Sequence, residues 1–147
     1  MRYLILVSHG RLAEGMKTAL EMFSGDATDQ SYALCLHKEM TAADLKHATE
    51  EFLKKQNFAK NDRFIILADI IGGSPLTTVL DVFSNYGFLQ QSTVVGGMNF
   101  SMALNVIINL NLNILSEEEL VNKVLSEGQA AIKQYEPEAE TADEDDI

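Results

Sequence analysis

A single cysteine, Cys35, in a chain of 147 residues leaves no partner for an internal disulfide. The thiol lies in the apolar run 32–36, which suits a small buried hydrophobe in a reducing cytosol. Basic residues are scarce as well: 11 Lys and Arg stand against 22 Asp and Glu, a formal net charge of −11. That balance argues against nucleic acid as a partner. No apolar stretch reaches the roughly 20 residues that cross a bilayer as a helix. The longest, 100–115, is broken by Asn105, Asn109, Asn111 and Asn113. The start of the chain runs straight into Ser8-His9-Gly10-Arg11 with no small-residue cleavage site, so no signal peptide is expected. Phosphate-binding G-x-x-x-x-G-K-[ST] and strand-led G-x-G-x-x-G loops are lacking, and so is G-x-S-x-G. The three histidines and Cys35 have no zinc spacing, so neither a metal nor a cofactor is expected.

Much of the acidity is local. Residues 136–147 hold seven acids and no base, and without them the balance falls to −4. This end reads as a solvated, disordered tail on a domain spanning 1–135. Within the domain, short apolar runs at 1–7, 32–36, 64–68 and 93–95 read as strands. Between them, apolar residues recur at helical spacing: Leu12 to Phe23 before a Gly25 cap, then Leu45, Ala48 and Phe52 after a capping-box-like Thr41. A third helix is expected from an N-capping Ser74 with Pro75 at its first position. A very apolar helix covers 98–110, and a capping box at Ser116 opens a last helix carrying Leu120, Val121, Val124, Leu125 and Ile132. Alternating strands and helices predict an α/β domain, doubly wound about a mainly parallel sheet of order 2-1-3-4, with helices on both faces.

That order sets strand 1 beside strand 3, and ligands of open parallel sheets bind beyond the carboxyl ends where the order reverses. Those ends carry Ser8-His9-Gly10 and Asp69, with Gly96-Gly97-Met98-Asn99 nearby. A carboxylate that accepts from one imidazole nitrogen fixes the tautomer and leaves the other nitrogen nucleophilic. Such a nitrogen can attack a phosphoryl group. Backbone N–H groups at the helix starts, around Gly10–Arg11 and Gly72–Gly73–Ser74, would hold the phosphoryl oxygens. Ser8, Gly97, Met98 and Asn99 are expected to line the cleft. His37 falls just past strand 2, near the rim, and His47 on a polar helix side. Taken singly, each of these residues also has an ordinary structural reading; their joint placement at one sheet edge is what points to chemistry.

At these residues the sequence resembles the IIA domain of the mannose-type (mannose/fructose/sorbose) phosphoenolpyruvate-dependent sugar phosphotransferase system. The resemblance rests on Leu-Val-Ser8-His9-Gly10, on Asp69-Ile-Ile-Gly72-Gly73-Ser74-Pro75, the most specific block, and on Gly96-Gly97-Met98-Asn99. It implies a phosphotransferase acting as a carrier. His9 would accept a phosphoryl group from the phosphocarrier protein HPr and pass it to a histidine of a IIB component, with Asp69 orienting the ring. It implies a homodimer with a swapped antiparallel strand, for which residues near 130–137 are one candidate. It further implies a cytoplasmic protein, peripheral to the membrane through the IIC and IID components. The chain would be a freestanding IIA subunit. The related dihydroxyacetone-kinase phosphotransfer subunit typically has an Asp-Met-Gly-Ser-type block where this chain has Gly-Gly-Ser-Pro, which favours the sugar-uptake branch.

Three other readings compete. A histidine-nucleophile phosphatase needs an Arg-His-Gly opening and several arginines, whereas Ser8 precedes His9 and only Arg2, Arg11 and Arg63 are present. A tetrapyrrole metal chelatase wants a second ligating histidine at the edge, a place that His37 and His47 fill poorly. A regulatory binding module without turnover remains open, because a phosphorylated histidine also serves signalling. The resemblance further implies that the sugar is chosen by membrane components of the system.

Overall fold

Residues 4–8 have almost no contact with water on either face, because β1 (Arg2–His9) runs through the middle of a sheet covered on both sides. The computed structural model describes residues 1–138. In chain order the other elements are α1 (Leu12–Ser24), β2 (Ser31–Leu36), α2 (Ala42–Gln56), β3 (Arg63–Ala68), α3 (Ser74–Asn85), β4 (Ser92–Val95), α4 (Phe100–Leu112) and α5 (Glu117–Ala130). The four strands are all parallel in the order β2-β1-β3-β4. This is the expected doubly wound sheet.

Side chains alternate along a strand, so each strand feeds two cores. Leu4 and Leu6 of β1, with Ile65 and Leu67 of β3, pack against α1, α4 and α5. Ile5, Val7, Phe64 and Ile66 pack against α2 and α3. The second core is aromatic at its base, where Phe64 meets Phe58 and Phe83 at centroid distances of 5.0 and 5.3 Å. Phe64 and Phe83 are fully buried, and each contributes about 1.5–3 kcal/mol, with Phe58 partly buried against them.

The helix signals hold in type and shift in detail. Thr41 and Ser116 each close a capping box, with Asp44 and Glu119 respectively. The buried face of α2 is Leu45, Thr49 and Leu53, whereas Ala48 is exposed. Thr49 tolerates burial because its hydroxyl donates to the Leu45 carbonyl at 2.8 Å. Gly73, in extended backbone, occupies the cap position of α3, and Ser74 is already helical with no capping bond. Pro75 lies in the first turn, where its missing N–H leaves no helical bond unmade. Helix α4 begins at Phe100 rather than at Met98. Met98 donates its N–H to Ala68 of β3, and Asn99 caps the helix by accepting from the Met102 N–H. Helix α5 ends at Ala130, short of Ile132. A 3-10 helix over Gly25–Gln30, which apolar periodicity does not reveal, leads from α1 into β2.

Residues 131–138 form no strand within the chain, and Ile132 and Tyr135 are 78% and 81% exposed. Most of the acidic tail expected at 136–147 lies outside the described residues. Among the described residues, no helix is long and apolar enough to cross a membrane.

Candidate phosphoryl-transfer site

His9 and Asp69 are 60 residues apart in sequence, and the pairing of β1 with β3 brings them together. Val7 is the last residue of β1 paired with β3, opposite Ala68, and the Asp69 N–H still donates to the Val7 carbonyl at 3.1 Å. Both side chains therefore stand at the carboxyl edge. Asp69 Oδ2 accepts from the His9 backbone N–H and lies 2.9 Å from His9 Nδ1, while Oδ1 accepts from the Ile70 N–H at 2.9 Å. An ionised carboxylate has no proton to give, so Nδ1 is the donor and Nε2 keeps its lone pair. Burial pushes the Asp69 carboxyl up. The bonds from the His9 amide, the His9 ring and the Ile70 amide outweigh it and hold the group below its ordinary value. The His9 side chain is 46% exposed.

Helix α3 begins against that edge. A Cβ at Gly73 would fall 3.0 Å from His9 Cε1 and 3.7 Å from Nε2. Any side chain there would have to push the ring back by a few tenths of an ångström. Gly72 enters the turn with φ +82°, a conformation that glycine adopts without strain. The first amides of a helix have no partner within it, and its N-terminus favours negative charge. Pro75 has no N–H, so Ser74 and Leu76 supply the donors of this turn.

The geometry is that of an imidazole held through Nδ1 by a carboxylate, beside a helix N-terminus. A family model of the phosphotransferase-system (PTS) fructose IIA component matches residues 3–125. The chain belongs to this family. Membership places it in the sugar phosphotransferase system with a phosphotransferase role. No curated protein sequence matches the chain. Solved structures share the fold at low identity. An EIIA component of the phosphotransferase system from Streptococcus agalactiae is 22% identical, with TM-score 0.72, covering 91% of this chain and 97% of that one. A PTS IIA protein associated with the fucose utilization operon of Streptococcus pneumoniae is 23% identical, with TM-score 0.71 and 96% of each chain covered. A sigma-54 interaction domain protein from Enterococcus faecalis is 15% identical, with TM-score 0.70, covering 88% and 91%.

In this IIA chain several residues expected at the cleft also make contacts within the fold. Ser8 is fully buried, and its hydroxyl accepts from the Ala13 N–H at 2.8 Å, satisfying the start of α1 from the strand. Met98 is a core residue of the α1–α4–α5 side. Asn99 both caps α4 and donates to the Gly128 carbonyl at 3.0 Å. Gly97 is an exposed turn residue with φ +67°. Gly10 follows His9, but its N–H donates to the Leu36 carbonyl at 2.9 Å and is not offered to a ligand. Arg11 is exposed and pairs with Glu14 Oε1 at 3.1 Å. His47 is exposed on α2. His37 approaches Glu14, a contact that sequence spacing could not foresee because the two lie on different elements. Leu12, Ile70 and Ile71 are exposed apolar residues flanking the His9–Asp69 pair in the chain. Two isoleucines in a strand-to-helix turn are their only sequence signal.

Proposed function

We propose that this IIA chain is a phosphocarrier that takes a phosphoryl group on His9 Nε2 from phospho-HPr and delivers it to a histidine of a IIB component. The Nε2 lone pair attacks phosphorus, the Nε2–P bond forms, and the bond from phosphorus to the donor breaks with its electron pair returning to HPr. The Nδ1 proton stays on the ring, and Asp69 offsets the positive charge that the imidazole gains. The free amides of the α3 start, next to Gly73 against the ring, would receive the transferred group. Delivery to IIB is the same step in reverse.

The observation that carries this reading is the Nδ1–Asp69 contact, which leaves Nε2 as the ring nitrogen with a free lone pair. The openness of the site supports a protein donor, since small-molecule sites enclose most of their ligand. Exposed Leu12, Ile70 and Ile71 suit docking of protein partners around the ring. We further propose a homodimer in which the segment after α5, with exposed Ile132 and Tyr135, crosses to the partner, and attachment to the membrane only through IIC and IID.

The decisive test is intact mass after incubation with phosphoenolpyruvate, enzyme I and HPr. Wild type should gain one acid-labile phosphoryl group and His9→Ala none. Uncharged wild type beside demonstrably charged HPr would sink the reading.

A further inference from the structure

Next to the phosphoryl site, three side chains converge that phosphoryl transfer does not use. Cys35 and His37 are two residues apart along β2 and its exit, so they share one face of the sheet. Helix α1 crosses that face and presents Glu14 from its first turn. The Cys35 thiol sulfur, an imidazole nitrogen of His37 and a carboxylate oxygen of Glu14 all lie within 4.8 Å of one another. His37 Nε2 is 2.7 Å from Glu14 Oε2. Cys35 is buried, whereas the His37 and Glu14 side chains are 26% and 39% exposed, so the cluster opens to solvent on their side.

We propose that Glu14, Cys35 and His37 form a three-ligand site for Zn2+ or a cation of similar softness, with a fourth position left to water. The donor set selects the ion. Thiolate with imidazole suits Zn2+, while Mg2+ and Ca2+ take oxygen ligands throughout. Tetrahedral bonds of about 2.0–2.3 Å set ligand atoms about 3.3–3.7 Å apart, inside the observed spread. A small opening of the His37–Glu14 contact admits the ion.

Each ligand has its proton accounted for. Burial pushes the Cys35 thiol up, against the help of the Ser8 hydroxyl and backbone groups, so ligation must release that proton to solvent. His37 binds as neutral imidazole through a lone pair. Glu14 binds through a carboxylate oxygen. Arg11 keeps Oε1, which leaves Oε2 for the ion. A His37–Glu14 ion pair alone would form without a thiol; the sulfur at the third vertex is what points to a metal.

The site stands apart from the phosphocarrier reading, and its test needs no phosphoryl transfer. Co2+ is titrated into the reduced, metal-free full chain and read by absorbance, with Zn2+ affinity taken from chelator competition. A thiolate-to-Co2+ charge-transfer band at one ion per chain is expected in wild type and in His9→Ala, and no band in Cys35→Ala. His37→Gln and Glu14→Gln should each weaken Zn2+ by at least about tenfold, the smallest loss typical even of an outer partner. Both positions are partly exposed, so these variants decide the matter if Cys35→Ala does not fold. Absence of the band in wild type, its loss in His9→Ala, or unchanged affinity in His37→Gln or Glu14→Gln overturns the proposal.

Discussion

Asp69 makes two sets of bonds at the scale of a single residue, to the amide and ring of His9 at the end of β1 and to the Ile70 amide in the turn after β3. Asp69→Asn removes the ionised acceptor, so the ring is no longer held with its proton on Nδ1. The rate of His9 phosphorylation should fall by about 10²–10⁴-fold, as for other positioned proton-binding groups, measured by rapid-quench mass analysis. The same carboxylate links stability to pH. Its folded pKa lies below the unfolded value, so its stabilisation is complete above the ordinary carboxyl range near about 3.9 and is lost as pH falls through the lower folded value. Urea unfolding should therefore show the gap between wild type and Asp69→Asn largest at neutral pH and closing below about pH 4. Gly73→Ala tests the close approach of α3. Its Cβ would press on His9 Cε1, so phosphorylation should slow while the melting temperature changes little, because the backbone there has φ −77°, open to any residue. The pairing of His9 with Asp69 was legible in the sequence once strand order was inferred. The positions of Ser8 and Gly10 were not, because whether a polar group faces a cleft or a neighbouring backbone depends on contacts between elements.

The elements show how much local chemistry settles. Both capping boxes were readable as Thr41-x-x-Asp44 and Ser116-x-x-Glu119, since the reciprocal bonds join residues three apart. Thr41→Ala should cost about 0.5–2 kcal/mol in denaturant unfolding, the usual loss for such a cap. Asn99 was readable only as part of a glycine-rich turn. It caps α4 and also ties that turn to α5 through the Gly128 carbonyl. Asn99→Ala should therefore cost more than Thr41→Ala, by roughly the 0.5–1.5 kcal/mol of the additional hydrogen bond. Gly128 itself shows the limit of periodicity. A Cβ there would stand 2.4 Å from Met102 Cγ, so a residue unremarkable in a helical pattern is where α5 rests against α4.

At the scale of the whole molecule, the sheet is what makes the site, because parallel pairing of β1 with β3 carries two distant loops to one edge. Phe64 lies at the centre of the aromatic core on β3, and Phe64→Ala should destabilise by about 3–5 kcal/mol through lost burial and the cavity left behind. The loss should appear in urea unfolding, with His9 phosphorylation retained wherever the variant remains folded. The two-sided burial behind that cost was legible early. Strands such as Phe64-Ile65-Ile66-Leu67 are apolar at every position, and only a sheet covered by helices on both faces can bury them.

The sequence by itself determined the α/β class and the four strands of the parallel sheet and, once the common doubly wound order 2-1-3-4 was taken, the edge at which His9 and Asp69 meet. These follow from apolar runs, helical periodicity and the fixed hand of parallel crossovers, which are local or topological rules. Only the tertiary structure decided which groups at that edge are spent on the fold and which stay available. Ser8, Gly10, Met98 and Asn99 satisfy helix starts, backbone carbonyls and core packing, while Glu14, Cys35 and His37 meet across two elements. The physical reason is that a hydrogen bond or a ligand set depends on distances of a few ångströms between chain segments, and those distances exist only once the helices are packed.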